Sequence, residues 1–101
     1  MSAPAWYLYV VRTNAGHLYT GIATDVDRRF EEHAAGDGRG AKALRGKGPL
    51  ELVYRLKVGD RGLALQLEHR LKRCTREQKE DIVSRAPSKR TLVRTLVPKD
   101  E

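Results

Sequence analysis

WYLYVVRTNAGHLYTGIA, residues 6–23, is the stretch whose reading decides the fold. Trp6 to Arg12 is aromatic and β-branched, the composition of a strand. Thr13-Asn14-Ala15-Gly16 is a turn signal, because Asn and Gly tolerate positive φ. His17 to Ala23 then reads as a second strand, which makes a hairpin. A loop centred on Asn14 places Tyr9 opposite Tyr19, with Cβ atoms roughly 5 Å apart. Side chains alternate along a strand, so Tyr7 and Gly21 share that face.

Downstream of the hairpin, Thr24 or Asp25 can cap a helix that runs to about Ala35 and stops at Gly36. Val26, Phe30 and His33 follow helical spacing and mark its inward face, with Arg29 beside them. Residues 36–48 are rich in glycine and basic residues and read as a loop, with one helical turn around Ala41 to Leu44. Leu50 to Val58 reads as a third strand. Asp60 can cap a helix whose buried stripe is Leu63, Leu67 and Leu71. Thr75-Arg76-Glu77-Gln78 fits a capping box that opens a further short helix ending before Pro87. From Ser88 the chain is basic and then acidic at Asp100 and Glu101; it reads as a frayed tail, with Thr91 to Val97 as a segment able to dock at an edge. The expected fold is α+β: a small, mostly antiparallel three-stranded sheet flanked by helices in the order β-β-α-β-α-α. One domain over residues 6–86 follows, with an extension at 1–5 and a basic tail at 87–101.

Length and composition bound the function. The chain has 101 residues, enough for one core, with 40% apolar and 33% charged residues. Net charge is +7, which favours a polyanionic partner through phosphate contact. One cysteine, Cys74, excludes an intramolecular disulfide, and His17, His33 and His69 lack the spacing of a zinc site. The apolar run from Trp6 to Val11 is too short for a signal peptide or a membrane span, so a cytoplasmic location is expected.

Five residues could carry chemistry. Tyr9 and Tyr19 read most simply as cross-strand packing, but a phenol facing a polar cleft can orient a water or take its proton. Arg29 and His33 are spaced i, i+4 and share one helix face. A snorkelling Arg and a His at the stripe's margin is the plain reading. A guanidinium held toward a phosphate, with an imidazole beside it, is the functional one. Glu68 lies between Leu67 and Leu71; turned inward, its natural partner is a hard divalent cation, and Mg²⁺ needs only one or two carboxylates plus waters and phosphate oxygens. Arg39, Lys42, Arg45 and Lys47 stand in the loop, where Asp37 is the one acidic residue. They match no Walker-type phosphate loop and suit nonspecific contact with a DNA or RNA backbone. Arg85, Lys89, Arg90 and Arg94 could add to that surface.

Taken together, these residues resemble the GIY-YIG nuclease superfamily. Tyr7-Leu8-Tyr9 stands where the first triplet would be and Tyr19-Thr20-Gly21 where the second would be. Arg29, His33 and Glu68 follow in the family's order, and the likeness covers about residues 5–84. The segments GAKALRGKGPLELVY (40–54) and VGDRGLALQLEHRLK (58–72) look like its small stand-alone YhbQ-like branch. The resemblance implies an endonuclease that hydrolyses DNA phosphodiester bonds, structure-dependent or weakly specific, with one Mg²⁺ or Mn²⁺ ion, in a setting such as DNA repair. By the same resemblance Glu68 binds the metal, Arg29 stabilises charge on the phosphate, Tyr9 or Tyr19 activates or orients the water, and His33 assists proton transfer. DNA is the expected partner and RNA the alternative, with no membrane and no small-molecule cofactor. Targeting would come from the basic surface or a partner protein. Both triplets are degenerate, and where many members of that superfamily carry an asparagine downstream of the glutamate helix, the single asparagine of this chain, Asn14, is in the turn. A nucleic-acid-binding module of nuclease ancestry, with little or no turnover, is therefore the alternative. A protein-interaction domain is a third reading, under which the five residues do not converge in space.

Overall fold

The computed structural model describes residues 3–36 and 38–97. Strands β1 (Trp6–Arg12), β2 (Leu18–Ala23) and β3 (Glu51–Gly59) form one antiparallel sheet in the order β2-β1-β3. Helix α1 (Val26–Ala35) follows the hairpin, a 3-10 turn (Lys42–Leu44) interrupts the basic loop, and α2 (Arg61–Lys72), α3 (Arg76–Arg85) and α4 (Lys89–Leu96) follow β3. The expected α+β class and the three antiparallel strands are what the structure shows. Among the described residues no helix is long and apolar enough to cross a membrane.

Strand alternation sorts the core into two layers. Leu8 and Val10 point to one face, where they meet Val58 and Tyr54 of β3 and Ala64, Leu67 and Leu71 of α2. Tyr9 and Val11 point to the other, where Ala23, Val26 and Leu44 cover them. Polar ties hold the outer elements to this sheet. Arg12 donates to both carboxylate oxygens of Glu80 on α3, at 2.8 and 2.9 Å. The Tyr54 phenol donates to the Pro87 carbonyl at 2.7 Å, just ahead of α4.

Local signals behave as their chemistry requires. Asp25 caps α1 by accepting from the Arg28 amide, and Gly36 ends it in the left-handed region at φ 67°. Asp60 caps α2. Thr75 and Gln78 complete the reciprocal capping box of α3.

Two expectations are corrected. The hairpin register pairs Tyr9 with Gly21 and Tyr19 with Val11, so the tyrosines are not directly opposite. The residue at positive φ is Gly16, at 87°, and the Thr13 amide donates to the His17 carbonyl at 2.8 Å. This is a three-residue loop centred on Ala15, with glycine in its last position. It shifts the pairing by two residues and keeps both tyrosines on the same face. The second correction concerns Thr91 to Val97, which is neither frayed nor an edge strand. Residues 89–96 form α4, capped by Ser88, with Leu92 and Leu96 buried one turn apart. The acidic end, Asp100 and Glu101, lies outside the described residues.

Candidate active site

The site is assembled from α1, the two tyrosine strands and α2. Tyr9 is 1% exposed and Gly21 lies opposite it. A Cβ at Gly21 would fall 2.5 Å from the Tyr9 oxygen, so the ring crosses the space that glycine leaves empty. The phenol thereby reaches α1, where its oxygen lies 2.8 Å from His33 Nε2. His33 is 3% exposed, not marginal as a helix-edge histidine would be. Its other ring nitrogen, Nδ1, accepts from the Ala41 amide at 3.0 Å. Tyr19 stands edge-on to the same imidazole, with ring centroids 5.6 Å apart.

Arg29 is held rather than loose in solvent. Its Nη1 donates to Glu32 Oε1 and to the Arg39 carbonyl, both at 2.9 Å. Both hydrogens of Nη1 are committed to these two oxygens, out of the five N–H donors a guanidinium carries. Its positive charge also acts on the Tyr9 phenol, against the groups that push that phenol up.

Glu68 turns inward from α2. Its side chain is 19% exposed and its carboxylate is 3.6 Å from Lys72 Nζ. Lys72 Nζ in turn sits 5.9 Å from the centre of the Tyr19 ring. The Glu68 charge is felt at the Tyr9 phenol, where it opposes deprotonation. All five residues expected from the sequence, Tyr9, Tyr19, Arg29, His33 and Glu68, therefore converge. Glu32, Lys72, Gly40 and Ala41 join them unforeseen. An i, i+3 acid beside Arg29 and an i, i+4 base beside Glu68 were the signals that could have found the first two.

Electrostatics separate the groups. The Tyr9 phenol is pushed up to about 12, first by burial, then by Tyr19 and Glu68, against the opposing pull of Arg29. Burial, and then Arg29, push His33 down, which favours the neutral imidazole. The hydrogen bond from Arg29 holds the Glu32 carboxyl below its ordinary range.

Open grooves flank this cluster. One of about 340 Å³ runs past Trp6, Ala23, Arg28 and Arg29. Another of about 430 Å³ is bounded by Phe30, His33, Leu44 and Leu50. A hollow of about 440 Å³ among α2, α3 and α4, next to His69, Arg70 and Arg73, touches none of the five converging residues. The loop residues Arg39, Lys42, Arg45 and Lys47 are all exposed, while Leu44 between them is buried and anchors the loop.

Among the described residues no three His, Cys, Asp or Glu side chains group as a metal cage. One inward carboxylate whose charge reaches the Tyr9 phenol still fits a Mg²⁺-type ion, which keeps several waters and takes phosphate oxygens. Glu68 is the residue that would hold it.

Residues 5–81 match the family described as the GIY-YIG catalytic domain. The chain belongs to the GIY-YIG family. A UPF0213 protein from Yersinia enterocolitica, YE0453, is 54% identical over 88 residues, covering 87% of this chain and 89% of that one. UPF0213 protein YhbQ from Salmonella arizonae is 50% identical over 91 residues, covering 90% and 89%. Among solved structures, the NMR structure of UPF0213 protein BH0048 from Bacillus halodurans is 35% identical, with a TM-score of 0.54 over 94% of this chain and 99% of that chain. The GIY-YIG domain is a nuclease domain, and its match spans both tyrosine strands, α1 and α2, the elements that build the cluster.

Proposed function

We propose that this GIY-YIG chain is a divalent-metal-dependent endonuclease that hydrolyses DNA phosphodiester bonds with structure-dependent or weak sequence specificity. The observation that carries this reading is the convergence of Arg29, Glu68, Tyr19, Tyr9 and His33 at one polar cluster on a basic chain. Phosphodiester hydrolysis demands little covalent chemistry from the protein; it demands positioning and neutralisation of charge. Arg29, fixed by Glu32 and the Arg39 carbonyl, presents its positive charge to the scissile phosphate. A divalent ion held by Glu68 would polarise the phosphate and stabilise the leaving oxygen.

The two tyrosines divide their work. Tyr9 is buried and its phenol is pushed up to about 12, which makes it a poor base and a good strut. Tyr19 is only partly buried, on the edge strand, and is the phenol that a water can reach. We assign the orientation and deprotonation of that water to Tyr19. His33 accepts from the Ala41 amide at Nδ1, so the neutral ring carries its proton on Nε2 and donates it to the Tyr9 oxygen. Its part is to hold Tyr9 and Arg29 in place. Backbone contact along the strand falls to Lys42, Arg45 and Lys47, with Lys89, Arg90 and Arg94 on α4 as a second exposed basic surface.

The test is purified protein with Mg²⁺ or Mn²⁺ on single-stranded, branched and duplex DNA. Metal-dependent cleavage that Arg29→Ala and Glu68→Ala each abolish is expected. Absence of cleavage on every substrate, with salt-sensitive binding retained in Glu68→Ala, would instead establish a binding module without turnover. The motive for that second reading is the degenerate triplets and the absence of a second asparagine.

A further inference from the structure

The basic loop touches α1 at three consecutive residues, and each contact is on or beside a residue of the site. The Arg39 carbonyl accepts from Arg29 Nη1 at 2.9 Å. Gly40 lies so close that a Cβ there would come within 2.6 Å of His33 Cα and 3.0 Å of both the Glu32 carbonyl oxygen and His33 Nδ1. The Ala41 amide donates to His33 Nδ1 at 3.0 Å. Backbone at Glu32 and His33 cannot retreat without breaking α1, so only glycine permits this approach. The next residues, Lys42–Leu44, turn once and bury Leu44, which pins the loop in place.

This contact has a chemical consequence. A histidine with two hydrogen-bonding options at each nitrogen has no fixed tautomer. Here a backbone N–H, which can only donate, occupies Nδ1, so the imidazole proton is fixed on Nε2 and aimed at Tyr9. Were the loop to lift, His33 could place its proton on Nδ1 and turn from donor to acceptor at the Tyr9 hydroxyl.

We propose that the Gly40–Ala41 segment is a positioning element of the cleavage site, which sets the His33 tautomer through the Ala41 amide and thereby makes His33 an obligate donor to Tyr9. The catalytic half of this inference rests on the endonuclease reading above; the structural half does not. Gly40 and Ala41 act through His33 and touch no reacting atom. The same backbone leads directly into Lys42 and Arg45, so the segment that meets the strand is the segment that sets the site.

The experiment is ¹⁵N NMR of the His33 ring, paired with steady-state cleavage of a labelled oligonucleotide. In the wild type, His33 should be neutral with Nε2 protonated and Nδ1 bare. Gly40→Ala should disturb that signature, moving proton density toward Nδ1, and lower kcat by roughly 10- to 100-fold with KM little changed, as expected for a displacement of about 1 Å in a supporting group. Should Gly40→Ala fail to fold, His33→Gln decides: its side-chain amide keeps a donor where Nε2 stood, so it should retain well over ten times the kcat of His33→Ala. A wild-type ring protonated on Nδ1, or a Gly40→Ala protein with changed tautomer and unchanged kcat, overturns the proposal. So does His33→Gln as inactive as His33→Ala, which would mark the ring as a proton carrier. If no substrate is cut by any form, the endonuclease reading fails, while the NMR arm still judges the role of Gly40 and Ala41.

Discussion

At the residue scale, the two tyrosines of the cluster stand in different surroundings, Tyr9 against His33 Nε2 and Tyr19 edge-on to the same ring. Tyr9 and Tyr19, ten residues apart, look equivalent in a string of letters. Burial separates them: Tyr9 is sealed beneath the fold and Tyr19 is only partly buried. Tyr19→Phe should therefore lower kcat by about 10²- to 10⁴-fold, the range of a lost general base, with unfolding unaffected. Tyr9→Phe should show a smaller loss of rate and a destabilisation of about 1–3 kcal/mol, because it strips the buried His33 Nε2–H of its acceptor. Urea unfolding and single-turnover cleavage on both variants check this, and equal kinetic losses would contradict the division of labour. His33 adds a pH signature. Around it stand Tyr9 and Tyr19 from the strands, Arg29 and Glu32 from α1, and the Ala41 amide from the loop. Its folded pKa is depressed, so the unfolded chain binds the proton more readily. Its contribution to stability is present above the unfolded histidine value of about 6.5 and falls away as pH drops below it. Stability measured between pH 7.5 and 5 should decline less steeply in His33→Gln than in the wild type.

At the scale of elements, the helices and strands announced by caps and turns were legible. Asp25, Asp60 and the Thr75–Gln78 box needed only local chemistry, and they stand where the sequence places them. Two elements needed more than local chemistry. The hairpin register depends on which loop residue takes positive φ, and both Asn14 and Gly16 offered themselves. In residues 91–97, β-branched Thr91, Val93, Thr95 and Val97 alternate like a strand, while Leu92 and Leu96 repeat like a helix. Packing decided the matter, since the helix buries both leucines against the sheet's core layer. Leu92→Ala should then cost about 2–5 kcal/mol in chemical denaturation, as for other fully buried leucines. A loss under about 0.5 kcal/mol, normal for a surface site, would mean that α4 is not part of the core. Gly21→Ala should be equally telling, because its methyl group collides with the Tyr9 phenol on β1. The cost should be about 1–3 kcal/mol, with Tyr9 driven out of contact with His33.

At the scale of the whole molecule, composition favours a polyanionic partner, and the structure arranges exposed cations along the loop beside the site and on α4. What composition could not tell was that the loop is anchored: Leu44 is buried and Asn14 reaches across the molecule to the carbonyl oxygens of Lys47 and Gly48. Those ties join residues far apart in the chain, and nothing in local sequence signals them. Replacing Lys42, Arg45 and Lys47 together with Gln should lower the slope of log affinity against log salt for single-stranded DNA by up to about 2. An unchanged slope would place the strand elsewhere. The cluster of Arg29, Glu68 and the tyrosines likewise draws on both strands of the hairpin and on two helices, so its convergence is a property of the entire fold. The most direct measurement is anomalous diffraction from crystals grown with Mn²⁺ and a short single-stranded oligonucleotide. The expected result is one manganese peak on the Glu68 carboxylate, with a phosphate of the strand bridging that ion and Arg29. Manganese absent from Glu68, with the strand bound away from Arg29 and Tyr19, would contradict a metal-dependent cleavage site at this cluster.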